Sequence, residues 1–157
     1  MLKIKFIVVD KTRAPFLREG EAFYLDRLKR YAQIEWAEVK PVRIIKGIQE
    51  EEVKNTEGRA ILQRVAPGDY LAALDRSGRQ YDSEKLAEWL KGLGMDIRGY
   101  VCFTIGGPIG LSGEVLKKAD SLLSLSKMTF THEMSRLVLL EQVYRAFTII
   151  QGEKYHK

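Results

Sequence analysis

The chain has 157 residues, 45% of them hydrophobic and 30% charged, which is enough for one domain with a real core and excludes a disordered chain. Lys and Arg number 26 against 21 Asp and Glu, a net +5 that suits a polyanionic partner without requiring one. No apolar run nears the ~20 residues of a membrane span. The lone Cys102, in an apolar stretch, can form no internal disulfide and reads as a buried structural thiol, which favours the cytoplasm.

The opening LKIKFIVV is β-rich and reads as a strand rather than a secretory signal. Residues 14–32 place Phe16, Phe23, Leu25 and Leu28 near helical spacing, with charges between them. QIEWAEV alternates as a second strand, closed by Pro41. Residues 47–66 have helical propensity, an acidic start that suits the helix dipole, and a weak point at Gly58. After the Pro67-Gly68 turn, DYLAAL is a short strand and Asp75-Arg76-Ser77-Gly78 a turn. Asp82 is an N-cap candidate for a helix ending at Gly92 or Gly94. GYVCFTIG is almost uninterruptedly apolar, as expected of a strand covered on both faces. GEVLKKA is a short helix capped by Ser112, SLLSLS a further strand, KMTFTHE a loop, and MSRLVLLEQVYRAFTIIQ a long final helix before the polar tail GEKYHK. This alternation predicts an α/β fold, a mostly parallel sheet with helices on both faces, in one unit spanning 1–157.

The glycine-dense stretch CFTIGGPIGLS is neither a Walker A loop nor a dinucleotide fingerprint. Pro108 removes a backbone donor, so the loop is poorly suited to gripping a pyrophosphate. It stands at the carboxyl end of a strand, as do Leu74-Asp75 and Leu125-Ser126, and in open α/β sheets ligands bind beyond such ends. Glycine backbone with Leu, Met128 and Phe130 would make a flat, partly apolar slot suited to a purine and a thioether.

LDRSG, IGGPIGLS, LSLSKMTFTHEMSRLVLLEQVYRAF and the terminal YHK resemble the ribosomal RNA large-subunit methyltransferase H family of the SPOUT superfamily, over the whole chain. The resemblance implies a SPOUT fold with a C-terminal trefoil knot, a homodimer, and S-adenosyl-L-methionine as cofactor. It places the cofactor against Leu74, Gly106, Leu125, Ser126, Lys127 (by its backbone only), Met128, Thr129 and Phe130. It implies methylation of N3 of a pseudouridine in large-subunit rRNA of the assembled ribosome, with no metal and no membrane. A SPOUT enzyme acting on tRNA or a ribose hydroxyl, and a non-catalytic ribosome-binding module, are the alternatives.

N3–H must lose its proton, so a base or an anion-favouring environment is needed. Tyr155, His156 and Lys157 offer a stacking ring, an imidazole and a cation; the resemblance draws this tail into the site. His132 either caps the last helix or contacts substrate. Arg136 completes the catalytic set with Tyr155 and His156, facing RNA phosphate or a partner subunit, while Glu141 and Arg145 stand one turn apart and can pair. Leu137, Val138, Leu139, Leu140, Val143, Phe147, Ile149 and Ile150 make the last helix apolar all round, so one side is expected to meet a second subunit.

Overall fold

A computed structural model describes residues 1–157. The strands are β1 (Leu2–Val9), β2 (Ala32–Val39), β3 (Tyr70–Arg79), β4 (Tyr100–Ile105) and β5 (Ser121–Leu123). The helices are α1 (Pro15–Leu28), α2 (Glu50–Leu62), α3 (Ser83–Asp96), α4 (Gly113–Lys118) and α5 (His132–Ile150). The strands form one sheet in the order β2-β1-β4-β3-β5, and every neighbouring pair is parallel. Parallel neighbours need crossovers, and helices supply them on both faces.

Side-chain alternation along β1 explains the two-sided core. Ile4, Phe6 and Val8 point to one face and pack with Leu28 of α1, Leu90 of α3 and Leu140 of α5. Ile7 and Val9 point to the other, with Ile61 of α2 and Val115 of α4. A strand buried on both sides has no solvent face, which is why β4 reads as a continuous apolar run and β1 becomes one from Phe6 to Val9. The expected caps are present: Asp82 accepts the Lys85 N–H, and Ser112 accepts the Val115 N–H. Cys102 is buried, and burial pushes its thiol up to about 12, so it is inert as a nucleophile. No helix is long and apolar enough to cross a membrane.

Several boundaries differ from the sequence expectation. The turn expected at Asp75–Gly78 lies inside β3: Leu74 and Arg79 both pair with Leu123, and the residues between them bulge out of register. α3 runs through Gly92 and Gly94 to Asp96, because Leu86, Ala87 and Leu90 bury its inner face. β5 stops at Leu123 instead of reaching Ser126. α5 begins two residues early, since Thr131 accepts the Met134 N–H as its N-cap, and this brings His132 into the first turn. α5 is largely buried within its own chain: Leu139, Leu140, Val143 and Phe147 are core residues between sheet, α1 and α3. The apolar circumference of α5 is therefore explained largely without a partner.

Candidate functional site

The bulge within β3 and the loops at the carboxyl ends of β4 and β5, closed by the start of α5, bound a cleft of about 240 Å³. That is close to the lower end of small-molecule sites, roughly 300–1,000 Å³. Leu74, Gly106, Leu125, Ser126, Met128, Thr129 and Phe130 all line it. Lys127 is exposed and contributes nothing to the wall. Sequence reasoning missed Arg76, Pro108, Ser124 and Ser135, which also line the cleft.

The β4 loop is a tight turn. The Gly110 N–H donates to the Gly107 carbonyl at 3.0 Å, Pro108 takes the second turn position, and Gly110 has φ +88. What approaches Gly106 is the loop itself: a Cβ there would lie 2.6 Å from the Gly110 carbonyl carbon. The sequence reading reserved that space for a ligand, whereas the closing turn fills it.

The segment 125–130 belongs to no helix or strand and is held by its own polar groups. Ser124 Oγ donates to the Ser126 carbonyl at 3.1 Å, and Ser126 Oγ accepts the Met128 N–H at 3.0 Å. The Arg76 guanidinium donates to Thr129 Oγ1 at 2.9 Å, tying the end of β3 to this loop. Met128 (74% exposed) and Phe130 (37% exposed) stand at the rim, apolar surface that a ligand would cover.

A second cleft, about 320 Å³, adjoins the first at the carboxyl ends of β1 and β2. Pro108 and His132 line both clefts. Its polar wall is Asp10, Arg13, Glu57 and Glu133. Asp10 has φ +68, and its N–H donates to the Val39 carbonyl at 2.8 Å, a left-handed turn that aspartate tolerates. Glu133 Oε1 accepts the N–H groups of Arg13 (3.0 Å) and Ala14 (3.1 Å). Burial pushes the Glu133 carboxyl up, but those two bonds more than offset it and its pKa is lowered. Glu57 is buried; Oε2 accepts the Val42 N–H at 3.0 Å and Oε1 has no partner. Burial raises its pKa. The signal for Glu57 was present in the sequence: it falls four residues after Val53 and four before Ile61, on the buried stripe of α2.

His132 has its pKa lowered, first by burial and then by the Arg136 guanidinium, with Glu133 and Asp10 opposing. Its place at the positive N-terminal end of α5 acts in the same direction.

Arg136 corrects the sequence reading. It is 0% exposed, so it meets neither RNA phosphate nor a partner surface. Its guanidinium donates to Thr12 Oγ1 at 2.8 Å and to the Val9 carbonyl at 2.6 Å. Thr12 passes the interaction on by donating to buried Glu21 at 2.6 Å. Arg136 thus pins α5 to the end of β1 and to α1, directly beneath His132.

The tail folds back against the middle of α5. The Tyr155 hydroxyl donates to Glu141 at 3.1 Å, and the Tyr155 ring lies 4.8 Å from the Tyr144 ring, with the Arg145 guanidinium 4.8 Å from its centroid. Burial, with bonding to Tyr24 and Glu141, raises the Tyr155 pKa. Glu141 and Arg145 pair at 2.6 Å, as their spacing predicts. Arg145 also donates to His156 Nδ1 at 3.2 Å. A guanidinium has no acceptor, so Nδ1 accepts and the ring proton sits on Nε2, which lies 3.7 Å from Glu84. At about 1.5 Å per residue, the tail's partners Glu141 and Arg145 lie roughly 14–20 Å along α5 from His132 at the first cleft.

A family profile described as "Predicted SPOUT methyltransferase" matches residues 2–156. A protein of Alkaliphilus oremlandii named "Ribosomal RNA large subunit methyltransferase H" is 42% identical, the match covering 99% of this chain and 100% of that protein. A protein of the same name from Halothermothrix orenii is 43% identical over 99% of this chain and 100% of its own. Among solved structures, a probable methylase family protein from Haemophilus influenzae Rd KW20 superposes with TM-score 0.56 at 15% identity, over 100% of this chain and 72% of that one, a likeness of fold.

Proposed function

Since the chain belongs to the SPOUT methyltransferase family, among relatives called ribosomal RNA large subunit methyltransferase H, we propose that it methylates N3 of a pseudouridine in large-subunit rRNA of the assembled ribosome, using S-adenosyl-L-methionine and working as a cytoplasmic homodimer. The observation that carries this reading is the first cleft, whose walls are the loops the family resemblance picks out.

The residues fit the cofactor. Leu74, Ile105, Leu111, Leu125, Met128 and Phe130 would take a purine and a thioether chain, and the peptide groups of the two irregular loops would read its polar edges. When bound, it supplies an electrophilic methyl whose sulfur leaves as a neutral sulfide, so no acid is required. The chain's part is alignment, water exclusion and removal of the N3 proton. The Arg76–Thr129 bond fixes the two sides of the cleft relative to each other, and the Gly107–Gly110 turn fixes its floor.

The knot belongs to the same reading. Its support is Leu123, which pairs with both Leu74 and Arg79, and Gly78, where a Cβ would lie 2.6 Å from the Leu122 carbonyl carbon. The chain at 122–123 passes close against Gly78 at the end of the bulged segment.

The tail supports the homodimer of this reading. Held against the middle of α5, roughly 14–20 Å along the helix from its own cleft, it is placed to serve a partner's cleft. The α1 face beside it carries Phe16 (66% exposed) and Phe23 (48% exposed), one on either side of Gly20, which abuts Leu137 of α5. Two exposed phenylalanines at a seven-residue spacing form a stripe suited to a second copy. There Tyr155 stacks on the target or a neighbouring base, worth roughly 1–3 kcal/mol.

Methyl transfer to intact ribosomes, free rRNA and free tRNA, read by mass spectrometry of digested RNA, tests the reading. Transfer is expected to ribosomes alone and to be lost on deleting Tyr155-His156-Lys157, with S-adenosylhomocysteine affinity unchanged within about threefold. Methylation of free tRNA, or full transfer by the truncated chain, overturns it.

A further inference from the structure

The cofactor cleft accounts for one of the two adjoining cavities. The second is at least as large, about 320 Å³ against about 240 Å³, and the wall between them is Pro108 and His132. Resting on the pseudouridine reading above, we infer that the second cleft seats the acceptor base, and that His132, on the shared wall, accepts its N3 proton.

The lining suits a flat ring with N–H groups on its edge. Val9, Val42, Ile44 and Pro108 offer apolar faces, while Asp10 and Glu57 offer acceptors. Glu57 is 4% exposed, and its Oε1 is an acceptor without a donor. Leaving such a buried atom unanswered is destabilising, so a ligand donor there would be favoured. A C-linked uracil carries protons on both ring nitrogens, so it brings a donor for an acidic floor as well as the N3–H that must be lost.

His132 meets the requirements of a proton acceptor. It lines both clefts, so a methyl passing from one to the other crosses beside it. The groups facing it are Glu133, 3.9 Å from its Nε2, and Arg136 on its own helix, Asp10 and Arg13 from the end of β1, Glu57 from α2, and Arg76 across the first cleft. Burial, Arg136 and the helix terminus all favour the neutral imidazole, the form that has a nitrogen able to accept. His156 lies away from this wall, with its Nδ1 3.2 Å from the Arg145 guanidinium. In the transfer, the N3–H bond breaks and its proton passes to His132. The electron pair left on N3 forms the bond to the methyl carbon, whose bond to sulfur breaks with its pair on sulfur, and the imidazolium then releases its proton to water.

The test follows one titration by two routes, in the full-length protein. The imidazole midpoint of His132 is measured by NMR without RNA. The acid limb of single-turnover methyl transfer is measured on intact ribosomes lacking the modification, at saturating cofactor. In the wild type the two should coincide, below the ordinary histidine value of ~6.5. Glu133→Gln keeps an acceptor for Arg13 and Ala14 but removes the facing charge, so both midpoints should fall together. His132→Gln should slow transfer about 100-fold or more and abolish the limb, with S-adenosylhomocysteine affinity within about threefold of wild type. A kinetic limb that stays in place while the NMR midpoint moves overturns the assignment, as does a His132→Gln enzyme of normal rate. Failure of the wild type to methylate ribosomes overturns the underlying substrate reading and this assignment with it; transfer with an unmoved limb overturns this assignment alone.

Discussion

Replacing Arg136 with Met separates a structural arginine from an RNA-binding one. The side chain is fully buried and makes two bonds, to Thr12 Oγ1 at 2.8 Å and to the Val9 carbonyl at 2.6 Å. Hydrogen bonds to a charged group contribute about 1.5–3 kcal/mol each, so their loss costs about 3–6 kcal/mol. Met fills much of the stem's volume and carries no charge to desolvate, which returns part of that. It also leaves Glu21, 6% exposed and already pushed up in pKa by burial, without its cation. A net loss of about 3–5 kcal/mol is expected. For a chain of this size each kcal/mol moves Tm by about 2–4 °C, so thermal unfolding followed by circular dichroism should show a fall of about 6–20 °C. A variant that melts within about 2 °C of wild type yet fails to bind ribosomes would refute the reasoning, because it would place the guanidinium at a surface.

Gly106→Ala should distort the turn it closes, since its Cβ would meet Gly110 backbone at 2.6 Å. Calorimetry should show S-adenosylhomocysteine affinity falling at least about tenfold, together with a lower Tm; normal affinity would mean that the loop does not shape the cleft. Phe23→Asp is expected to yield a folded monomer by light scattering, because Phe23 is 48% exposed. Val143→Asp, at a residue 1% exposed, should instead unfold the chain; a folded Val143→Asp monomer would restore α5 as the principal interface. For Glu57 the native pKa is raised, so its contribution to stability is most favourable at low pH and is lost as pH rises through the native value. Glu57→Gln should therefore gain Tm relative to wild type at pH 8 over pH 4, and a difference independent of pH would show that the group titrates normally.

Local information settled the elements and the site's outline. Apolar runs flanked by turn residues marked β1 and β4, the caps Asp82 and Ser112 marked helix starts, and three strand ends marked the cleft, because these signals act over a few residues. Tertiary structure decided the rest. The bulge in β3 exists because Leu123 pairs on both sides of it, a contact that no window around Asp75–Gly78 contains. Arg136 reads as a surface cation until β1 and α1 close over it and supply the Val9 carbonyl and Thr12, more than a hundred positions away in the chain. The same closure carries His132 to the wall between two clefts and folds the tail back against the middle of its own helix. Periodicity shows that a side chain is buried on one face; only the packed neighbours decide whether it fills the core, answers a charge or faces a ligand.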